Sequence, residues 1–297
     1  MNKLKALDPA APLARDSAND AAIPEARAAQ QPVIRRGQER QHHEFARRGQ
    51  KLLRIASPFL LLLVWELLSR VGVLDRRFFP PPSELILSTR QMLVDGSLAV
   101  ATGDSLRRLA IGYASGAVLG VAFGLWLGLS AWSRALLEPW LLVTYPIPKL
   151  ALFPLLVLIV GLGEAPIVIL LAIAVFYVVA INLIAGVLSI KPVILDVGRD
   201  CGASFLQVVR TVALPASLPH IVTGLEISLG IAYIVLIAAE FVGAKSGLGN
   251  VIWSSWQLFD VAPMYVAIVT ISVLGYVSVM LLRALGNWLM PWRKKPN

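Results

Sequence analysis

Six apolar stretches, each about the length of a bilayer-crossing helix, leave this chain few ways to fold. They run roughly over residues 52–74, 106–129, 135–160, 166–189, 221–243 and 264–289. A helix of that length crosses a hydrocarbon core about 30 Å thick. Composition agrees: 57% of the 297 residues are hydrophobic and 15% are charged, where soluble domains carry about 25% charged residues. The reading is an all-α polytopic membrane protein with six transmembrane helices.

Charge then orients the bundle. Residues 1–54 hold eleven lysines and arginines against six acids, more than half of the chain's net charge of +9. Arg35, Arg36, Arg40, Arg47, Arg48, Lys51 and Arg54 precede the first span, and Arg293, Lys294 and Lys295 follow the last. Basic flanks stay cytoplasmic, so both termini are expected inside, which an even number of spans allows. Residues 1–50, rich in Ala, Arg, Gln and Pro, cannot bury enough apolar surface to fold and read as a disordered cytoplasmic tail. Residues 51–297 form the membrane domain. The basic tail has no accompanying aromatic face, so nucleic acid is not an expected partner. One cysteine, Cys201, allows no internal disulfide, and His42, His43 and His220 are too scattered to suggest a metal site. No cofactor is expected.

Three spans carry more than hydropathy. In the second, glycines at 112, 116, 120, 124 and 128 step by four residues, so each step drifts by about 40° and the stripe winds round the helix, suiting close right-handed crossings. The third contains Pro139, Pro146, Pro148 and Pro154. A helix broken in this way is stable in a membrane only if protein or a watery cavity surrounds the break. Lys149 sits beside it and needs a partner, freed carbonyls or water. It is a candidate for attracting an anionic solute along a pathway. Glu240, near the end of the fifth span, precedes the glycine-rich return FVGAKSGLG. It is a candidate pathway or gate residue, or a local structural partner. Glu66 and Glu226 are further intramembrane acids. Between the second and first spans, Pro80, Pro81 and Pro82 interrupt the chain. Ser83 reads as the N-cap of a short amphipathic helix bearing Leu85, Ile86, Met92 and Leu93, lying on the membrane.

No GxxxxGK[ST] phosphate loop, GxSxG elbow or HExxH pair occurs, so nothing supports catalysis by this chain alone. What does stand out is 196–219, DVGRDCGASFLQVVRTVALPASLP, an organised polar stretch between two membrane runs. Asp196, Val197 and Gly198, then Gly202, then Val212, Leu214 and Pro215 resemble the "EAA" loop of binding-protein-dependent ABC importer permeases of the type I, MetI-like family. Glycine and Leu-Pro match at the family's spacing, while Val and Gly replace two alanines of the first triplet. Further blocks, among them SLRRLAIGYASGAVLGVAFGLWLGLS and AEFVGAKSGLGNVIW, resemble the nitrate/sulfonate/taurine/bicarbonate subgroup over roughly 52–285.

The resemblance implies a multi-pass permease of the bacterial inner membrane, non-catalytic and paired as a homodimer. Its coupling helix, in a loop at about 190–220, would dock on a separate cytoplasmic ABC ATPase. A periplasmic or lipid-anchored binding protein would deliver the solute. ATPase-coupling contacts would fall at Asp196, Val197, Gly198, Gly202, Ala203, Ser204, Leu214 and Pro215. Gly202 would turn the chain where a side chain would crowd the bend, and Pro215 and Pro219 would end the second short helix before the fifth span. The solute would be a small anion such as an aliphatic sulfonate, taurine or nitrate. Alternatives are a permease for a thiamine precursor or other small heterocycle and, in other classes, a membrane-embedded enzyme or a scaffold.

Overall fold

The structure is a computed structural model that describes residues 56–291; the tail at 1–50 and the basic residues after 291 lie outside it. Its contacts divide the chain into two units, Met1–Leu67 and Leu68–Asn297. Of the first unit only 56–67 are described, and they are helical, the start of helix α1 at 56–70. In the second, α2 (Pro82–Val94), α3 (Ser97–Leu129), α4 (Ala131–Thr144), α5 (Phe153–Val160) and α6 (Glu164–Leu188) come first. They are followed by α7 (Pro192–Asp200), α8 (Phe205–Val208), α9 (Leu214–Gly243), α10 (Leu248–Gln257) and α11 (Val261–Leu289). The described residues contain no strand.

Four unbroken helical runs are long and apolar enough to cross a membrane: 97–129, 164–188, 205–243 and 261–289. A fifth candidate span is broken, as its prolines require. Helices α4 and α5 meet across residues 145–152 at a bend of 93°. The first expected span is represented by α1, and its residues 52–55 lie outside the described residues.

Helix α6 is the centre of the second unit. Ile167, Leu170, Leu171, Val175, Val179 and Leu183 are wholly enclosed, which suits a helix apolar on every side. The glycine stripe of α3 explains its closest partner. A methyl group at Gly112 would stand 2.6 Å from Leu171 Cβ, one at Gly120 2.9 Å from Val179 Cβ, one at Gly124 2.9 Å from Leu183 Cβ and one at Gly128 2.6 Å from Val187 Cβ. Gly116 fits against Val175 and the Ala172 carbonyl in the same way. Five glycines on α3 thus meet five residues on α6 that also step by four. A four-residue repeat exceeds the 3.6-residue turn, so the two parallel helices keep their stripes in register by winding right-handedly about each other. The drift expected from the sequence is real, and the partner helix follows it.

Helix α9 packs on the other side of α6, with Leu229, Ala232, Leu236 and Ala239 in the shared core. Near the 190–213 end, His220 lies against Gly186, which leaves room for it by having no side chain. At the opposite end Phe153, at the start of α5, is buried over Gly243. The second unit therefore has a connector end, where 190–213 joins α6 to α9, and a far end, where α6 begins and α9 finishes.

Two local expectations change. Helix α2 starts two residues earlier than expected: Pro81 is the N-cap and Pro82 the first helical residue. Ser83 is not the cap, because proline's fixed φ and missing N–H suit the first helical position. Of its expected apolar face, Leu85 and Met92 are buried while Ile86 and Leu93 are exposed. Between α2 and α3, hydrogen bonds from the Ser97 side chain and backbone hold the Asp95 carboxyl below the usual carboxylate range.

Candidate functional site

Three groups of polar residues interrupt this apolar unit. The first is the connector. Helix α7 exposes Val193, Ile194 and Val197, and α8 exposes Phe205 and Leu206. Between them the chain reverses at Gly202, whose φ is +74°. A side chain there would meet nothing within 4 Å. Glycine is required by the left-handed backbone, and the crowding expected from the sequence is not the reason. Gly198 is likewise uncrowded, with Val208 Cγ2 at 3.6 Å from a hypothetical Cβ. Ser204 then opens α8 through a reciprocal capping box. Its Oγ accepts the Gln207 N–H at 3.4 Å, and Gln207 Oε1 accepts the Ser204 N–H at 2.7 Å. Ala203 links the turn to this cap, its N–H donating to the Gly198 carbonyl at 3.1 Å.

Beyond α8 the helix does not stop. Residues 209–213 form one wide π turn, and Leu214 and Pro215 begin α9 directly on it. Pro219 lies inside α9. The expectation that Pro215 and Pro219 end a short helix is overturned: 205–243 runs on as one helical span. The wider turn takes up the strain that the prolines introduce. Ser217 Oγ donates to the Ala213 carbonyl at 2.6 Å and Thr223 Oγ1 to the Pro219 carbonyl at 2.9 Å, the back-bonds that helical Ser and Thr make to the residue four before them. The connector is thereby fused to a span that reaches the far end.

The second group surrounds Lys149, in the bend of the broken span. Its Nζ donates to the carbonyls of Tyr145 at 2.7 Å, Ile147 at 3.0 Å and Thr144 at 3.3 Å. These are carbonyls released where α4 ends, so the ammonium caps a helix C-terminus. It also lies 4.3 Å from the centre of the Tyr177 ring, a cation–π contact. Tyr177 in turn donates to Thr144 Oγ1 at 2.7 Å. A groove of about 630 Å³ opens here, lined by Ser115, Thr144, Lys149, Ile173, Phe176 and Tyr177 among others. Beyond the bend, which gives Thr144, Ile147, Lys149 and Leu152, its lining comes from Ser115 and Leu119 of α3 and from α6 between Ile169 and Tyr177.

The third group, at the far end, is the most enclosed. Glu240 is 0% exposed and Arg108 3%. Arg108 Nη1 donates to Glu240 Oε1 at 2.8 Å, and Ser105 Oγ lies 2.9 Å from both carboxylate oxygens. The start of α10 wraps round this acid. Gly249 N–H donates to Glu240 Oε2 at 2.8 Å, and Leu248 N–H to Ser105 Oγ at 2.8 Å. A buried carboxylate so placed satisfies the open N–H groups of a helix start. The sequence SGLG now has a reason. A Cβ on Gly247, whose φ is +114°, would stand 2.5 Å from Glu240 Oε1, and one on Gly249 2.7 Å from Glu240 Cβ. Lys149 and Glu240 were legible in the sequence as charges needing partners. Arg108 was missed, although an arginine inside a 33-residue apolar helix is the same signal. Glu240 and Lys149 belong to separate groups. Among the described residues no three His, Cys, Asp or Glu gather as a metal site.

Comparison with known proteins decides what this framework belongs to. The family described as "Binding-protein-dependent transport system inner membrane component" matches residues 116–290. The chain belongs to this family. The permease is 32% identical to the taurine transport system permease protein TauC of Escherichia coli, over 82% of this chain and 90% of that one. It is 30% identical to the putative aliphatic sulfonates transport permease protein SsuC of Bacillus subtilis, over 80% and 86%. With the nitrate import permease protein NrtB of Synechocystis it shares 24% identity, over 80% and 88%. Its fold is that of a chain in an inward-facing MetNI methionine ABC transporter, with a TM-score of 0.55 at 20% identity, covering 65% of this chain and 97% of that one. The permease is thus the transmembrane subunit of an ABC importer, with the MetI-like fold. It is not itself an enzyme: ATP hydrolysis belongs to an ATPase partner, and a substrate-binding protein is the other partner the family implies.

Proposed function

We propose that two copies of the permease form a pathway for a small anion, an aliphatic sulfonate, taurine or nitrate, and that the 190–213 connector receives the ATPase thrust. Both termini and the connector are cytoplasmic in this reading. The observation that carries the coupling role is the connector's surface. Val193, Ile194, Val197, Phe205 and Leu206 are all exposed on a hinge whose second arm is continuous with α9. Apolar side chains gathered on a short polar loop favour a protein partner. Asp196, Val197, Gly198, Gly202, Ala203 and Ser204 supply the docking face and its turn. Leu214 and Pro215 carry the motion into the span, because a rigid helix transmits displacement where a flexible loop would absorb it.

The anion preference is supported by the relatives' names and by Lys149, a positive charge on the groove that the bend shares with α3 and α6. Its three hydrogen bonds go to neutral carbonyls, so its charge remains to attract an anion. Glu240, enclosed and fully engaged, acts in this reading as the pin of α10 and not as a surface of the pathway.

Cys201 makes the test direct, being exposed and the chain's single cysteine. In intact cells it should resist a membrane-impermeant maleimide and react in inside-out vesicles. With Cys201→Ser as background, single cysteines at 196–204 should cross-link to the ATPase. If none does so, the docking role is wrong. Lys149→Gln with unchanged sulfonate and nitrate uptake would remove Lys149 from the pathway.

A further inference from the structure

Arg108 does not serve Glu240 alone. Its Nη1 also donates to the Ser246 carbonyl at 2.8 Å, and its Nη2 to Ser246 Oγ at 3.1 Å and to Glu164 Oε1 at 3.2 Å. One guanidinium therefore joins α3, the end of α9, the turn into α10 and the first residue of α6. Its two acidic partners differ in kind. Glu240 is completely enclosed and engaged by three groups, Arg108, the Ser105 hydroxyl and the Gly249 N–H. Glu164 has a side chain 46% exposed and is gripped a second time by Arg107, itself 54% exposed.

Glu164 also opens α6 directly after an unpacked turn, two residues before the helix becomes buried at Pro166. It follows Gly161 and Gly163, with φ of +83° and +136°, and a side chain at either would meet nothing within 4 Å. Leu162 between them is 87% exposed. So the junction between the broken span and α6 is a glycine-hinged turn at 161–163 without packing, followed by Glu164 in the grip of two arginines and then by the buried part of α6. A buried, paired charge stays where it is, because separating it strands both partners. A half-exposed pair separates readily, because water and salt replace each partner.

We propose that Arg108 is a positioning residue for transport. Anchored to Glu240, it holds Glu164 and with it the hinged junction of α5 and α6 against α10. Glu164 leaves Arg107 and Arg108 each time the far end of the permease opens. The device has a fixed half and a releasable half, and the shared guanidinium sets where the junction returns.

The complete transporter, with its ATPase and binding protein, tests this. In a Cys201→Ser background, Arg107→Cys and Glu164→Cys are combined and joined with a short bis-methanethiosulfonate reagent that reductant cleaves. Arg108 is left in place. Solute uptake by the double variant should fall by about ten-fold or more on cross-linking and recover on reduction, while the reagent should not change uptake by either single-cysteine variant from that variant's own untreated rate. Cross-linked protein that transports within two-fold of its reduced form overturns the proposal, as does failure of the pair to cross-link at rest. Independently, Glu164→Gln should raise solute-free ATP hydrolysis about three- to ten-fold by weakening the closed state. Glu164→Asp should restore the native ratio of solute-stimulated to solute-free hydrolysis. A Glu164→Gln transporter with an unchanged ratio would mean that the contact is only structural.

Discussion

Replacing single glycines of α3 with alanine separates two effects that usually act together. Inside a helix, alanine is favoured over glycine by about 1 kcal/mol. At Gly103 nothing lies within 4 Å of the added methyl, so Gly103→Ala should keep that gain. At Gly112 the methyl would stand 2.6 Å from Leu171 Cβ and 3.0 Å from the Val168 carbonyl oxygen. Neither is the loose end of a flexible side chain: one is the first side-chain carbon, fixed by the backbone, and the other is backbone. The helices must move apart, and overpacking of this kind costs about 1–3 kcal/mol. It also opens gaps at the neighbouring Gly116 and Gly120 contacts, since the stripe is continuous. Set against the propensity gain, this cost makes Gly112→Ala destabilising by up to about 2 kcal/mol net. Detergent-solubilised protein fused to a fluorescent reporter, heated and scored by size-exclusion chromatography, gives apparent melting points for both variants. Gly103→Ala should melt at or above the parent and Gly112→Ala several degrees below. Equal stabilisation by both would refute the claim that α3 and α6 are in backbone-close contact.

Two further outcomes follow from the connector and the buried pair. Because Gly202 is needed for its backbone and not for space, Gly202→Asn should keep uptake close to native, since asparagine tolerates the left-handed region. Gly202→Val, β-branched and of similar bulk, should lose uptake coupled to ATP hydrolysis while inserting normally; equal loss in both would restore crowding as the cause. Glu240→Gln leaves the Arg108 charge facing a neutral amide in an enclosed site. Breaking a buried pair costs about 3–5 kcal/mol, so the variant should accumulate poorly and melt far below the parent, whereas native-like melting would mean the pair is solvated.

Much of the framework was legible residue by residue. Hydropathy located the spans from α3 onward because a bilayer core admits little but apolar helix. The prolines at 146 and 148 marked the 93° bend, because the lost hydrogen bonds are a local matter. Proline failed as a guide at 215 and 219, where the helix continues from a π turn at 209–213 through both residues. Lys149 announced a need for partners, and the freed carbonyls that meet it are only two to five residues away in the chain. The partners of Glu240 were not legible. Arg108 lies 132 positions off and Ser105 135, and no local pattern encodes which distant helix will present them.

The sequence alone determined that the chain crosses a membrane as helices, where one span breaks, and that an organised connector interrupts the apolar runs. Each follows from the chemistry of neighbours: transfer of side chains to lipid, loss of a backbone donor, the periodicity of a polar stretch. Only the tertiary structure decided that the glycine stripe meets α6, that the connector and α9 are one helix, and that Arg108 is shared between a buried and an exposed acid. Those depend on how close two backbones come and on which charges share an enclosed volume, and distance across a folded chain is not written in any stretch of it.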